Sequence, residues 1–163
     1  MLANQINAKL IFISSYAALN HDNIYGQLKL ESEQIVKNTH AGFLILRPSV
    51  LFGVSPNTTS NSTFNKIIHS IKKPDLATFD TSWHFQPTYL GHISNVIKTA
   101  IHQNIFDQKV HLFCSDVKNR FQVATDILKP LGVAIKPIDE KRNLPLQKRD
   151  EFELIKLDLP TCK

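Results

Sequence analysis

The chain has 163 residues, 42% hydrophobic and 20% charged, a balance that fits an ordinary globular domain and excludes fibrous or disordered classes. No apolar run approaches the roughly 18 residues of a membrane helix. The N-terminus, M-L-A-N-Q-I-N-A-K, lacks the apolar core and cleavage site of a secretory leader, so a cytoplasmic protein with no membrane partner is expected. The net charge of +5 is spread along the chain, without an arginine-rich arm or aromatic–basic interleaving. That argues against a nucleic-acid partner and leaves a mild preference for anionic small ligands.

Residues 1–8 read as the tail of a helix, and Lys9 to Ser15, K-L-I-F-I-S-S, as a buried parallel strand ending in paired serines. A short polar turn over 16–23 leads into a helix from about Ile24 to Asn38, with Asp22 or Asn23 as its cap. On that helix Ile24, Leu28 and Ile35 share one stripe, and Tyr25, Lys29, Ser32 and Val36 the next. One stripe can pack on a sheet while the other faces a cleft. Ala41-Gly42 ends the helix, and Phe43 to Leu46 is a second strand. Strand, helix, strand without a hairpin turn predicts a right-handed parallel crossover.

Residues 54–62 form a polar loop, 63–72 a helix, and 76–79 a short strand. Phe85 to Tyr89 is extended, and a helix follows from Leu90 to about His102. Val110 to Phe113 reads as a strand, and 119–129 as a helix stopped by Pro130 and Gly132. From Lys136 onward the pattern weakens to an irregular stretch with a short helix near 150–157. The fold expectation is α/β: the C-terminal part of a Rossmann-type parallel sheet in residues 1–53, then a small mixed lobe in residues 54–163.

The chemistry of the sequence sits in Ser15, Tyr25 and Lys29. Residues one turn apart share a helix face, so Tyr25 and Lys29 project together. A lysine ammonium beside a tyrosine favours the phenolate, as does a place in the first helical turn. A serine at a strand end can hold a carbonyl or hydroxyl. Together they form a general acid–base device for a carbonyl/alcohol carbon, which moves a proton while a cofactor carries the hydride. Tyr-x-x-x-Lys alone is common by chance. Its context here is a Ser-Ser strand end before it and L-R-P-S-V-L-F-G after it. The seven histidines and the two cysteines, Cys114 and Cys162, show no metal spacing. Trp83-His84-Phe85 reads as packing.

With that context the chain resembles the extended short-chain dehydrogenase/reductase family, in its dTDP-4-dehydrorhamnose reductase or sugar-nucleotide-binding branch. Y-G-Q-L-K-L-E-S-E is similar to that branch's Y-G-x-S-K-L-x-G-E, and I-L-R-P-S-V-L-F-G to its L-R-x-S-x-x-Y-G. Q-P-T-Y-L-G-H-I-S-N-V-I resembles P-T-Y-x-x-D-L-A, and V-H-L-F-C-S-D stands where a Y-H-L-S-G strand would. The resemblance implies NAD(P)H-dependent reduction or epimerisation at a nucleotide-linked sugar, with reduction of a 4-keto sugar such as dTDP-4-dehydrorhamnose as the leading expectation. Ser15 would position the carbonyl. Tyr25 would be the proton donor, and Lys29 its tuner and the ligand of the nicotinamide ribose. Tyr25, Lys29, Pro48, Ser49 and Val50 would border the cofactor, NADP or NAD. Pro87, Thr88 and Arg149 would contact the substrate, and no metal is implied.

The family's glycine-rich turn, which seats the cofactor pyrophosphate on a helix N-terminus, has no counterpart. The five glycines, Gly26, Gly42, Gly53, Gly91 and Gly132, are scattered. The sequence begins where the family's fifth strand would. Two expectations follow. In one, the chain is the catalytic and substrate-binding portion of a reductase whose cofactor half is lost to truncation or is a separately encoded N-terminal partner. In the other, it is a non-catalytic sugar-nucleotide-binding or regulatory protein of the same fold, as the regulatory subunit of methionine adenosyltransferase is among the relatives.

Overall fold

Two stretches of the chain, Leu10–Ile13 (β1) and Phe43–Pro48 (β2), lie side by side in parallel, Leu10 opposite Phe43 and Ile13 opposite Leu46. The computed structural model describes residues 2–19, 23–54, 62–72, 77–112 and 117–142. The chain divides into two compact units. Among the described residues, the first is built from 2–19, 23–49 and 91–112, and the second from 50–54, 62–72, 77–90 and 117–142. The sequence pattern puts 91–112 with the later part of the chain. In the structure these residues join the first unit because their strand, Gln108–Leu112 (β7 in chain order), pairs with β2.

In the first unit a short helix, Leu2–Gln5 (α1), precedes β1, and a 3₁₀ turn, Tyr16–Leu19, follows it. The helix Ile24–Val36 (α2) then carries the chain back to start β2 in the same direction as β1. That crossover is what a parallel pair requires. Asn23 has extended backbone, and its side chain accepts the Gly26 N–H at 2.7 Å, so of the two expected caps it is the one that serves. β7 completes a three-stranded parallel sheet in the order β1-β2-β7, with β2 central. Its central place explains the continuous apolar run: Leu44, Ile45 and Leu46 are fully buried, as a strand covered on both faces must be. At the start of β2, Gly42 has φ +110°, and a Cβ there would meet the Phe106 Cβ at 3.0 Å. The helix running on from Leu90 to His102 (α4) buries Ile93, Val96 and Ala100, a spacing of one turn and repeats of it.

The face α2 turns inward is not its apolar stripe. Ile24, Leu28 and Ile35 are all exposed, whereas Gly26, Glu33 and Val36 are buried. The inward face is decided by an ion pair described below.

In the second unit Leu51–Phe52 (β3) pairs in parallel with Thr88–Tyr89 (β6). Thr63–Lys72 (α3) and Arg120–Leu128 (α5) contribute Ile67, Val123, Ala124 and Leu128 to a core that includes Phe52, Phe79 and Phe85. Phe52 and Phe85 stack with ring centroids 5.9 Å apart, and Trp83 tilts against Phe85 at 4.8 Å, so Trp83 and Phe85 are packing residues. His84–Phe85 (β5) pairs antiparallel with Lys118–Asn119 (β8). Asn119 also opens α5 with a reciprocal capping box to Gln122.

One expectation is corrected here. The stretch from Lys136 is not irregular throughout: Lys136–Ile138 (β9) is a strand parallel to Thr78–Asp80 (β4). A three-residue strand carrying Pro137 shows no periodicity of its own. It exists because β4 supplies the ladder, and proline is tolerated there because each of the two strands has only one neighbour among the described residues. The expected short helix at 150–157 lies outside the described residues.

Candidate functional site

The C-terminal end of β1 is where the first unit gathers its polar side chains. Ser14 is buried and its backbone N–H donates to the Leu46 carbonyl at 2.6 Å, continuing the ladder with β2. Ser15 is half-buried, and its hydroxyl accepts the Ala17 N–H at 3.2 Å as the chain enters the 3₁₀ turn. That contact leaves the Ser15 proton available for donation.

From α2, Lys29 reaches the same strand end. Its ammonium donates to the Ile13 carbonyl at 3.0 Å and lies 5.0 Å from the Phe12 ring centroid and 5.8 Å from that of Tyr25. An ammonium has three donors, so its remaining protons can serve a ligand hydroxyl. Tyr25, one turn earlier, is exposed. The structure therefore brings Lys29 onto both Tyr25 and the end of the strand that leads into Ser15. Pro48 is buried at the end of β2, with Ser49 half-buried after it. Val50 belongs to the second unit, where its carbonyl accepts the Thr88 N–H at 2.9 Å. Pro87 and Thr88 are both buried in that unit. Arg149 lies outside the described residues, as do Cys114 and Cys162.

Sequence reasoning passed over Glu33, Ser14 and Arg47 as functional residues. The Glu33 carboxylate is fully buried and accepts bonds from Ser14 Oγ at 2.6 Å, Arg47 Nε at 2.7 Å and Arg47 Nη2 at 2.5 Å. The signal was there. Glu33 stands two turns after Tyr25 and one after Lys29, on their face, and Arg47 is a charge in an otherwise apolar strand.

The second unit holds a cleft of about 310 Å³ lined by Lys66, His69, Ser70, Thr78, Arg120 and Glu140 among others. Arg120 lies 5.5 Å over the Trp83 ring, and its Nε is buried without a hydrogen-bond partner among the described residues, as is Trp83 Nε1. Burial, followed by repulsion from Arg142, lowers the Arg120 pKa, and Glu140 and Asp80 oppose that shift. An arginine stacked on indole with an unused donor is suited to an anionic or planar ligand. Among the described residues no group of three or more His, Cys, Asp or Glu is placed to hold a metal. No described helix is long and apolar enough to cross a membrane.

Comparison with known proteins follows the same lines. The RmlD substrate binding domain family matches residues 2–154. No curated protein sequence matches. Among solved structures, a dTDP-4-dehydrorhamnose reductase from Yersinia enterocolitica is 24% identical with a TM-score of 0.72, covering 89% of this chain and 56% of its own. The dTDP-4-dehydrorhamnose reductase (rfbD) from Bacillus anthracis str. Ames, solved in complex with NADP, is 22% identical with a TM-score of 0.72 and the same coverage. A UDP-N-acetylglucosamine 4-epimerase from Methanobrevibacter ruminantium M1, in complex with UDP-N-acetylmuramic acid, is 17% identical with a TM-score of 0.64, covering 89% of this chain and 54% of its own. The chain thus spans just over half the length of these structures, and at such identities the likeness is one of fold.

Proposed function

Because the chain belongs to the RmlD substrate binding domain family, we propose that it carries the acid–base and substrate-binding parts of an NAD(P)H-dependent reductase of nucleotide-linked sugars, with a 4-keto sugar nucleotide such as dTDP-4-dehydrorhamnose as substrate. The observation that carries this reading is the placement of Lys29 on the Ile13 carbonyl and beside the Tyr25 ring, at the strand end that leads into Ser15.

The cofactor fits at one end only. Lys29, with donors to spare, and the backbone at Pro48 and Ser49 would hold the nicotinamide ribose and ring. The scattered glycines offer no turn for the pyrophosphate. When bound, the nicotinamide supplies hydride. The chain's own residues do the rest: the Ser15 hydroxyl donates to the sugar carbonyl oxygen, and Tyr25 hands its phenolic proton to that oxygen as charge develops there. Lys29 holds positive charge beside Tyr25 and so stabilises the phenolate left behind. In the second unit, Lys66 and Arg120 would meet the substrate phosphates in a cleft that Asp80 and Glu140 also line, and Pro87 and Thr88 would border the sugar. Arg149 is proposed as a further phosphate ligand.

β1 is an edge strand among the described residues, half-exposed over Leu10–Phe12 and exposed at Ile13. Its free edge suits a parallel strand from a nucleotide-binding segment, either preceding this sequence or separately encoded. A second reading, a non-catalytic sugar-nucleotide-binding protein of this fold, expects binding without turnover.

The test is a fluorescence titration with NADPH. One charge-assisted hydrogen bond contributes about 1.5–3 kcal/mol, while ordering a dinucleotide costs several. Residues 1–163 alone are therefore expected to bind no tighter than about millimolar. Oxidation of NADPH on adding dTDP-4-dehydrorhamnose is expected only with an N-terminal cofactor half supplied, and is lost again in Tyr25→Phe. Micromolar binding by the chain alone, or turnover that survives Tyr25→Phe, would overturn the reading. Sugar-nucleotide binding with no turnover in the complemented protein would favour the second.

A further inference from the structure

Resting on the reductase reading above, we propose that Glu33 is a positioning residue: its fork with Arg47 and its bond from Ser14 fix the Tyr25/Lys29 face of α2 at the end of β1. Proton-transfer groups need placement to within about half an ångström. Apolar packing alone is a poor way to achieve that for this helix. Of its large apolar residues, Ile24, Leu28 and Ile35 are exposed and Leu30 is only half-buried, and Val36 is the one apolar side chain among its buried residues, Gly26, Glu33 and Val36.

The seating of α2 is polar instead. Glu33 is anchored to Ser14 and Arg47, and Lys29 to the Ile13 carbonyl. The two anchors stand four residues apart, about 6 Å along the axis. Two points in line fix both the rotation and the slide of a helix, so the place of Tyr25, one further turn on, follows from them. The bond from Ser14 makes the alignment direct. One carboxylate holds the helix that bears Tyr25 and, at the same time, the residue next to Ser15.

Stability alone does not explain the pair. Two charges taken out of water cost several kcal/mol each, and apolar residues of similar volume are often as stable in the same place. What an apolar pair cannot supply is direction. An arginine–carboxylate fork has one good geometry, and methionine side chains have many.

The test separates placement from stability. The Lys29 Hε protons, close to the rings of Phe12 and Tyr25, should resonate upfield of other lysines in the NMR spectrum of the 163-residue chain and show cross-relaxation to both rings. Glu33→Gln alone leaves Arg47 buried without a counter-charge and is expected to destabilise. Glu33→Met/Arg47→Met is expected to melt within a few degrees of the parent yet lose most of the upfield displacement and the contacts to the rings. A stable double variant that keeps both signals would overturn the proposal. So would one as destabilised as Glu33→Gln, which would assign the pair to stability. None of this involves cofactor or sugar, so it stands or falls apart from reductase activity. In the complemented enzyme the double variant should lose kcat with KM for the sugar nucleotide unchanged. Unchanged kcat alongside lost NMR signals would likewise overturn the role.

Discussion

Replacing Asp80 with asparagine should destabilise the second unit in a way that depends on pH. Asp80 ends β4 and is buried. Its Oδ1 accepts Ser82 N–H at 3.0 Å, Ser82 Oγ at 2.6 Å and the Glu140 N–H at 3.1 Å, and Oδ2 accepts the Trp83 N–H at 3.4 Å. One carboxylate therefore closes the turn after β4 and pins the chain leaving β9. Desolvation by burial raises the Asp80 pKa, but the bonds from Ser82, Glu140 and Trp83 together outweigh it and bring the value from 3.8 down to about 2. That displacement corresponds to about 2–3 kcal/mol in favour of the folded state. For a depressed carboxylate this contribution is complete above the unfolded value, near pH 4, and is lost as pH falls through the folded value, near 2. A carboxamide in its place cannot accept at both terminal atoms, so Asp80→Asn should cost about 2–3 kcal/mol at neutral pH and progressively less between pH 4 and pH 2. Trp83, the single tryptophan, has its backbone N–H on this carboxylate and makes a local probe. Urea titrations of its fluorescence, for parent and variant at a series of pH values, measure the difference directly. A neutral-pH difference below about 0.5 kcal/mol, or one that grows as the solution is acidified, would refute the reasoning.

Two further predictions concern the first unit. Ile45→Ala removes a fully buried side chain from the middle of the central strand and should cost about 2–5 kcal/mol, read from far-UV circular dichroism during urea unfolding; a loss under about 1 kcal/mol would mean that β2 is not the covered strand. Gly42→Ala places a Cβ 3.0 Å from that of Phe106 at φ +110°, so it should destabilise by at least about 1 kcal/mol; an alanine variant as stable as the parent would refute the strained turn at the start of β2.

The sequence made α2, β1 and β2 legible because their signals are local: a cap, a 3.6-residue period, an apolar run, a glycine. The helix from Leu90 to His102 was legible to the residue for the same reason. Long-range partnership was not legible. β9 is a strand only because β4 lies beside it, and residues 91–112 join the first unit only because β7 pairs with β2. The burial of α2 misleads in an instructive way. Hydrophobic pattern points to Ile24, Leu28 and Ile35 as the natural inner face, and a single buried carboxylate overrides it by requiring Arg47 and Ser14 within bonding distance. Of the candidate site, the face shared by Tyr25 and Lys29 could be read from spacing alone. The attachment of Lys29 to the Ile13 carbonyl could not, since it depends on where the helix lands.

Polar satisfaction sets Arg120 apart from Asp80 and Asn119 in the second unit. Asp80 and Asn119 are buried and fully engaged: Asp80 by its four bonds, and Asn119 by its capping box and by the Thr81 carbonyl at 3.2 Å. Such groups hold the fold. Arg120 stands in the same neighbourhood, one residue after Asn119, and is different. It lines the cleft, leans on Trp83, and keeps a buried Nε without an acceptor among the described residues. A buried donor without an acceptor costs about 1–3 kcal/mol, a cost that Asp80 and Asn119 avoid. An acceptor on a bound ligand would account for the difference. A phosphate or a ring carbonyl entering between Lys66 and Arg120 would complete the set that Asp80 and Asn119 complete for themselves.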